Sequence, residues 1–170
     1  MAAKLPSVLV DINCFFRDES YAGLINKLTL PKIAVKMAEK AMSGVAGSME
    51  RSLGRLEKME AEIIIDAFHD RVMEMPGSNA SREELFVVKG ALDEDGTIGD
   101  LVVRFSGFWK DMDFGEMSPE KETEVKSAIA VEHFEIEING RELVYVDKLT
   151  NVWRMNGVDR TAEIRRALGQ

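Results

Sequence analysis

The chain has 170 residues, of which 45% are hydrophobic and 31% are charged, and this composition is typical of one folded domain and argues against wholesale disorder. Its 30 acidic and 22 basic residues give a net charge of −8, which argues against a broad basic surface for nucleic acid. The single cysteine, Cys14, cannot form an internal disulfide, and no apolar run of about 18 residues predicts a membrane-spanning helix. We therefore expect a single soluble domain over residues 1–170, made inside the cell and without stable insertion into a membrane.

The N-terminal third alternates between apolar and polar positions. This alternation predicts a strand over Val8–Phe16 and a second extended segment over residues 24–39,. The apolar positions of the second segment change phase at Pro31, which predicts an edge position or a bulge because proline cannot donate to a strand ladder.

Residues 40–58 have a different composition, with glycines among serine, alanine and charged residues. We expect a long flexible loop here, since loops of this length in a compact domain are usually functional or disordered. The glycines of this segment are Gly44, Gly47 and Gly54.

The middle of the chain predicts a strand around Ile63, a short helix over His69–Met75 that ends at Pro76, and a hairpin,. The spacing of Ser81-Arg-Glu-Glu84 is that of a capping box, which predicts the start of another helical turn. In the hairpin, a strand over Phe86–Leu92 is followed by a polar turn and a returning strand that ends near Trp109,.

The C-terminal half predicts a second loop over residues 110–121 and a long strand over Glu122–Ile138. The apolar positions of this strand change parity between Val131 and Phe134, which predicts a bulge. Asn139-Gly140 is the strongest short hairpin signal, and a return strand follows over Leu143–Leu149.

The last residues, 159–169, predict a short helix. Asp159 is a suitable N-cap, Gly169 is a suitable stop, and the order of acidic then basic residues suits the helix dipole,. Ile164 and Leu168 form its docking face. Because hairpins dominate, we predict a mainly β fold of two packed antiparallel sheets, a sandwich or half-barrel, with one short flanking helix and a short C-terminal helix.

Motifs for catalysis or cofactor binding are missing from the sequence. It contains neither a glycine-rich phosphate loop nor a G-x-S-x-G elbow,. Two distant histidines, His69 and His133, with one cysteine do not predict a zinc site. We therefore expect no catalytic residue, no cofactor and no metal.

Charge is unevenly distributed along the chain. Residues 111–147 contain eleven acids and three bases, a net charge of −8, whereas residues 148–170 contain five bases and two acids, a net charge of +3. A solvated acidic face with a dipole-balanced helix accounts for this pattern, and so do complementary poles that favour self-association.

Several blocks resemble the major tail tube protein of contractile-tailed phages and R-type pyocin particles. The two most specific blocks are Leu28–Lys36 (LTLPKIAVK) and Asn156–Gly169 (NGVDRTAEIRRALG). Tyr21–Gly23 precedes the first block at the expected distance, and Asn139–Leu143 and Tyr145–Asp147, between the two blocks, resemble the late hairpin of the family. The turn at residues 17–20 and the segments 40–58 and 73–85 depart from the family pattern.

This resemblance implies a structural protein. Six copies would form a ring whose inner strands make one continuous β-barrel, and rings would stack into a hollow tube inside a contractile sheath. The implied partners are further copies of the chain, the tail sheath protein, a baseplate or tube initiator, the tape measure protein in the lumen and, transiently, DNA. The implied location is the virion tail, assembled in the cytoplasm of the host bacterium.

The resemblance also gives meaning to particular residues. An acidic bore would repel phosphate, so we expect lumen or rim positions to be among Glu122, Glu124, Glu135 and Glu137. We expect contacts between subunits at the C-terminal helix and at the glycine-containing loop, which would act as an arm; the residues are Arg160, Arg165, Arg166, Ile164, Leu168, Gly44, Gly47 and Gly54. The alternatives are a type VI-like secretion tube, a monomeric β-sandwich binding module and an acidic hydrolase.

Overall fold

The computed structural model describes residues 6–41, 43–44 and 46–170, and within these ranges the chain is mainly β. Two short α-helices and a 3₁₀ helix accompany the strands. The strands are β1 (Val8–Phe16), β2 (Glu19–Ser20), β3 (Ile25–Thr29), β4 (Val35–Ala41), β5 (Ser48–Leu56), β6 (Met59–Ile65), β7 (Phe86–Glu94), β8 (Thr97–Trp109), β9 (Val125–Ile138), β10 (Arg141–Asp147), β11 (Val152–Met155) and β12 (Val158–Asp159). The helices are α1 (Asp70–Met73), the 3₁₀ helix Asn79–Arg82 and α2 (Ala162–Leu168).

Ten of these strands form one antiparallel sheet that branches at β9, while β4 and β5 form a separate two-stranded sheet. The main order is β12-β11-β10-β9-β8-β7-β1-β2, and β6, which carries β3, also pairs with β9. The two antiparallel sheets and two short helices confirm the predicted mainly β fold class.

The branch follows from the length of β9. One edge of this strand pairs with β8 over Ile129–Ile138. The other edge pairs first with β6 over Val125–Val131 and then with β10 over His133–Ile138. One strand therefore connects both branches of the sheet.

A bulge separates the two halves of β9. Ser106 of β8 is opposite His133 and Gly107 is opposite Val131, so Glu132 is the extra residue. The extra residue reverses the alternation, and Val131 and Phe134 are both 1% exposed in the core,. This confirms the bulge that the change of parity predicts.

The core is a single cluster of apolar side chains from both branches of the sheet and from the α1 region. Its aromatic centre contains Phe16, whose ring centroid lies 6.1 Å from that of Phe86 and 5.9 Å from that of Trp109. Phe105 packs on Phe86 at 5.1 Å. Val72 and Met75 add their buried side chains from α1 and the residues that follow it. The predicted helix at this point is thus confirmed, although it is shorter than expected.

The segment 40–58, expected as a long loop, is mostly strand. Residues 48–56 form β5, which pairs with β4 in an exposed hairpin. The sequence signal is weak because both faces of this hairpin are largely exposed, so neither face needs apolar residues at every second position. The expected extended segment 24–39 is divided into β3 and β4 by residues 30–34, which include Pro31.

Local signals in the second half have mixed outcomes. Asn139 and Gly140 have φ angles of 51° and 72° and join β9 to β10, which confirms the predicted hairpin. The capping box at Ser81–Glu84 is wrong, because Ser78 caps the 3₁₀ helix by accepting a hydrogen bond from the Ala80 amide. Ser81 is instead buried, and its hydroxyl donates to the carbonyl of Ser78 at 2.7 Å.

The β8–β9 bulge predicts a strict requirement for glycine at position 107. A Cβ at this position would lie 2.1 Å from the carbonyl oxygen of Ala130, so Gly107→Ala must push two backbones apart. We expect a loss of ~1–3 kcal/mol in the free energy of unfolding, measured as the midpoint of urea denaturation. Ser106→Ala in the same strand is the control and should change stability by less than ~0.5 kcal/mol. Equal midpoints for the two variants would contradict the role given to Gly107.

Candidate assembly surfaces

A row of charged and aromatic side chains crosses four strands on the face opposite the core. Arg104 of β8 lies across from Glu135 of β9, which lies across from Tyr145 of β10, which lies across from Arg154 of β11. Arg104 Nη1 lies 3.3 Å from a Glu135 carboxylate oxygen and 2.8 Å from one of Glu137. The two predicted lumen acids on β9 therefore share one guanidinium, and the three side chains together carry one net negative charge.

The C-terminal end of this row is a bidentate ion pair. Arg154 donates through Nε and Nη2 to the two carboxylate oxygens of Glu142, at 2.9 and 2.7 Å. These hydrogen bonds lower the pKa of Glu142 below its ordinary value,. The Arg154 guanidinium also lies 4.0 Å from the centroid of the Tyr145 ring, which adds a cation–π contact.

The other two predicted acids lie elsewhere. Glu122 and Glu124 are exposed in the segment that leads into β9. Both precede β9, so they do not continue the row on that strand. The sequence missed the basic members of the row, because Arg104 and Arg154 are far from the acids in the chain and only the register brings them together.

A closed loop precedes β9. Asp113 and Lys126 exchange backbone hydrogen bonds at 2.8 and 2.9 Å, and a Cβ on Gly115 would lie 3.1 Å from the Glu124 carbonyl oxygen. Residues 114–124, which we name the acidic loop, are thus pinned at their base. The loop contains four acids and one lysine: Glu116, Glu120, Glu122, Glu124 and Lys121.

The C-terminal helix is anchored by Asp159, although not as predicted. The helix begins at Ala162 with Thr161 in the cap position. Asp159 accepts hydrogen bonds from the backbone amide of Thr161 at 2.9 Å and from Arg165 Nη2 at 2.6 Å. The Arg165 guanidinium also donates to the carbonyl of Asn151 at 3.0 Å. Asp159 therefore ties β12 to the helix, and Gly169 ends the helix with a φ of 74°, as predicted.

Arg165 is consequently engaged within its own chain, whereas Arg160 and Arg166 are exposed. On the apolar side of the helix, Leu168 is 64% exposed and Ile164 is 37% exposed. Ile164 nevertheless has an intramolecular contact, because a Cβ on Gly54 of β5 would lie 2.6 Å from its Cδ1 atom. The structure thus brings two of the expected contact residues, Gly54 and Ile164, together at the root of the hairpin.

The hairpin β4–β5 is a ribbon with two chemically different faces. Cross-strand pairs place Lys40 beside Met49 and Ala38 beside Arg51 on one face. On the other face Glu39 lies directly opposite Glu50. Strand alternation places Lys36 with Lys40, so one face is basic and the other is acidic. Gly44 and Gly47, near the tip, have φ angles of 84° and 113°.

The two ends of the main sheet differ in their exposure. At one end residues 158–161 cover the edge of β11, because Arg160 donates its amide to the Trp153 carbonyl and Trp153 donates its amide to the Thr161 hydroxyl, and the outermost strand there is the two-residue β12. At the other end, β2 pairs with β1 only at Phe15 and Phe16. Residues 8–13 of β1 therefore have an outer edge without a partner strand in the described part of the chain, and Val8 and Val10 are 59% and 60% exposed there.

Within the described ranges, no group of three or more histidine, cysteine or acidic side chains is placed to hold a metal ion. No helix in the described part of the chain is both long and apolar enough to cross a bilayer. Burial raises the pKa of the Cys14 thiol to about 11, which keeps it protonated and unreactive at neutral pH.

The contacts of Asp159 predict a pH-dependent anchor. Bonding to Arg165 lowers the pKa of Asp159, so its contribution to stability is complete above the unfolded value of about 3.9 and is lost as the pH falls below it. We expect Asp159→Asn to cost ~1–2 kcal/mol at pH 7 and the difference from the unaltered chain to shrink below about pH 4. Chemical denaturation at several pH values measures this difference, with Glu163→Gln as the control. A difference that stays constant between pH 7 and pH 3 would contradict the anchor.

Comparison with known proteins agrees with the resemblance in the sequence. Residues 6–169 match the family model described as phage tail tube protein FII. The chain is 29% identical over 170 residues to the tail tube protein of Escherichia phage P2, and the alignment covers 97% of this chain and 98% of that protein.

Proposed function

This chain belongs to the phage tail tube protein FII family, and on that premise we propose that it closes into six-membered rings that stack into the inner tube of a contractile tail. It is a structural component of a phage tail and not an enzyme. In our proposal the tube grows from a baseplate initiator around a tape measure protein, in the host cytoplasm. A surrounding sheath then contracts and drives the tube through the host envelope, after which DNA passes down the lumen.

The observation that carries this proposal is the family match over nearly the whole chain. The surfaces support it, since an exposed apolar strand edge is a template for pairing with another chain. The outer edge of β1 at residues 8–13 is such an edge. Its pairing with a neighbouring subunit would cover this aggregation-prone edge. It would also extend the sheet from one copy to the next, as a closed barrel requires.

We propose that the hairpin β4–β5 is the arm between subunits or rings that was expected for residues 40–58. An isolated two-stranded hairpin is marginally stable in water, and this one is fixed at its root through Gly54 and Ile164. Gly44 and Gly47 near its tip allow backbone conformations that other residues adopt at a cost.

We propose that the face bearing Glu135 and Glu137 lines the bore, with Glu122 and Glu124 at its rim. Glu135, Glu137 and Glu142 form a cluster of three acids with two bases, Arg104 and Arg154. Asp147 shares this face through its pairing with His133, so the face is net acidic. An acidic bore would repel phosphate, and the two arginines would limit self-repulsion within the ring.

We propose that the C-terminal helix contacts an acidic neighbour through Arg160 and Arg166, with Leu168 and the exposed part of Ile164 as its apolar contact. Arg165 acts indirectly, because it holds the helix in place through Asp159. The arrangement combines a rigid anchor with exposed cations, which suits contact with the acidic segment of another copy.

Assembly is tested by light scattering and negative-stain microscopy of the purified chain, with its baseplate initiator added where needed. We expect six-fold rings or hollow tubes from the unaltered chain, and at least ten-fold fewer for Arg160→Glu with Arg166→Glu, because both cations are replaced by repelling charges. Glu163→Gln on the same helix is the matched control. A chain that stays monomeric even with its initiator would instead favour a β-sandwich binding module.

The lumen assignment predicts different effects on DNA ejection when the acids or the arginine of one cluster are replaced by uncharged glutamine. Glu135→Gln with Glu137→Gln removes repulsion of phosphate and should slow DNA ejection several-fold, whereas Arg104→Gln leaves the bore more acidic and should not slow it. Ejection is followed in virions whose tubes have normal length by microscopy. Equal ejection rates for both variants and the unaltered virion would contradict a bore lined by this face.

A further inference from the structure

Beyond its root, the arm is largely exposed on both faces. β4 and β5 pair with each other and with no strand of the main sheet in the described chain, and Met49 is 53% exposed on the basic face. Lys36, Lys40 and Arg51 of this face have no ion-pair partner among the described residues. Three cations and an exposed thioether are therefore presented together on a ribbon that its own chain does not cover.

The acidic loop and its surroundings present the opposite chemistry. Phe114 of this loop stacks on Phe68 with ring centroids 6.2 Å apart, and both rings remain about half exposed, at 50% and 48%. Met117, three residues further along the loop, is 72% exposed. A groove of about 310 Å³ runs through the loop between Glu116 and Thr123. Exposed apolar surface bordered by charged residues marks an interaction site.

The glutamates of this loop, like the cations of the arm, form no ion pair among the described residues. Within the described ranges, none of its four glutamates takes part in an ion pair. With Lys121 the loop has a net charge of −3, against +3 for the basic face of the arm. The loop is also pinned at its base by Asp113 and Lys126, so less conformational entropy is lost when it binds.

We infer that the basic face of β4–β5 in one copy docks on the acidic loop of a second copy, with Met49 and Arg51 against the exposed Phe68–Phe114 pair. The inference rests on the proposed tube function and names the two surfaces that join its subunits. Arginine makes cation–π contacts with aromatic faces, and the methionine thioether makes favourable contacts with ring edges. The three cations then meet the glutamates at the border of the apolar contact.

A second acidic surface exists at the β7–β8 turn, at Asp93, Glu94 and Asp95. The exposed apolar residues near it are aliphatic, namely Ile98 and the start of β1, and they provide no ring for the arginine. This turn is therefore the matched control for the acidic loop, because it has the same charge and a different apolar surface.

The test is a charge exchange in the full chain, read as the yield of polymer by sedimentation and microscopy at low salt. Lys36→Glu, Lys40→Glu and Arg51→Glu together should lower the yield at least ten-fold, as should Glu116→Lys, Glu120→Lys and Glu122→Lys together. A chain with all six changes should recover to within about three-fold of the unaltered chain. Glu94→Lys with Asp95→Lys, which keeps the hydrogen bond from the Gly96 amide to Asp93, should lower the yield far less than the reversal of the acidic loop.

Cysteine cross-linking supplies an independent readout that keeps the charges of both surfaces. Met49→Cys with Met117→Cys in one chain should give a ladder of disulfide-linked oligomers after mild oxidation, since each copy then carries both halves of the contact. Either substitution alone should give no ladder. The native Cys14 is 1% exposed and does not compete.

The outcomes separate the inference from the function on which it rests. Normal polymer yield from the reversed variants, or no recovery on exchange together with no ladder, would overturn the contact and leave the tube standing. The arm reversal can also be combined with the charge reversal at the β7–β8 turn. If this combination restores the polymer yield and the combination with the loop reversal does not, the contact lies at that turn and the present assignment is overturned. An unaltered chain that forms no polymer with its initiator would overturn the tube proposal, and the inference with it.

Discussion

The architecture depends on β9, a single strand that must pair with three others. β9 has fourteen residues. One of its edges pairs with β8, and the other pairs first with β6 and then with β10. A regular strand could not present apolar side chains to the core along this whole length, because the two branches of the sheet need opposite parity. The extra residue at Glu132 solves this problem, and the missing side chain at Gly107 lets the backbones stay close where the ladder is interrupted.

The same register that builds the core determines the electrostatics of the opposite face. Once Phe105 lies opposite Phe134, Arg104 must lie opposite Glu135, and the pairing continues to Tyr145 and Arg154. The charge ladder is thus a consequence of strand alignment and not a separate design. This explains how glutamates of a strongly acidic region of sequence gain counter-ions, since Arg104 and Arg154 come from the flanking strands β8 and β11, outside that region.

Elements with one buried face were predictable from the sequence, and elements with two exposed faces were not. The parity change before Phe134 and the turn at Asn139-Gly140 are local signals, and the structure confirms both. The strand β5 has no such signal, because neither of its faces packs on the core. Gly54 is one of the glycines that favour a loop over residues 40–58. Its positive φ of 65° instead belongs to the register shift between β4 and β5.

The surface residues show a similar division. Sequence position placed Arg165 with Arg160 and Arg166, but the turn at Asp159 draws its guanidinium inward. The sequence singled out the acids of β9 by their charge, whereas their partner Arg104 could be identified only from the register between the strands. Side-chain chemistry can therefore be read from the sequence, but the pairing of charges between distant strands is known only once the sheet is aligned.

The order of strands along the chain also affects biosynthesis. β1 pairs with β7, and β6 pairs with β9, so these strands of the main sheet wait for a partner translated much later. Hairpins between consecutive strands, such as β7–β8 and β9–β10, can close soon after they leave the ribosome. Loop-closure entropy makes such distant pairings slow, and the N-terminal strands are without their partners in the meantime. The rate at which a subunit folds, and not only its final stability, then depends on how long these strands stay unpaired.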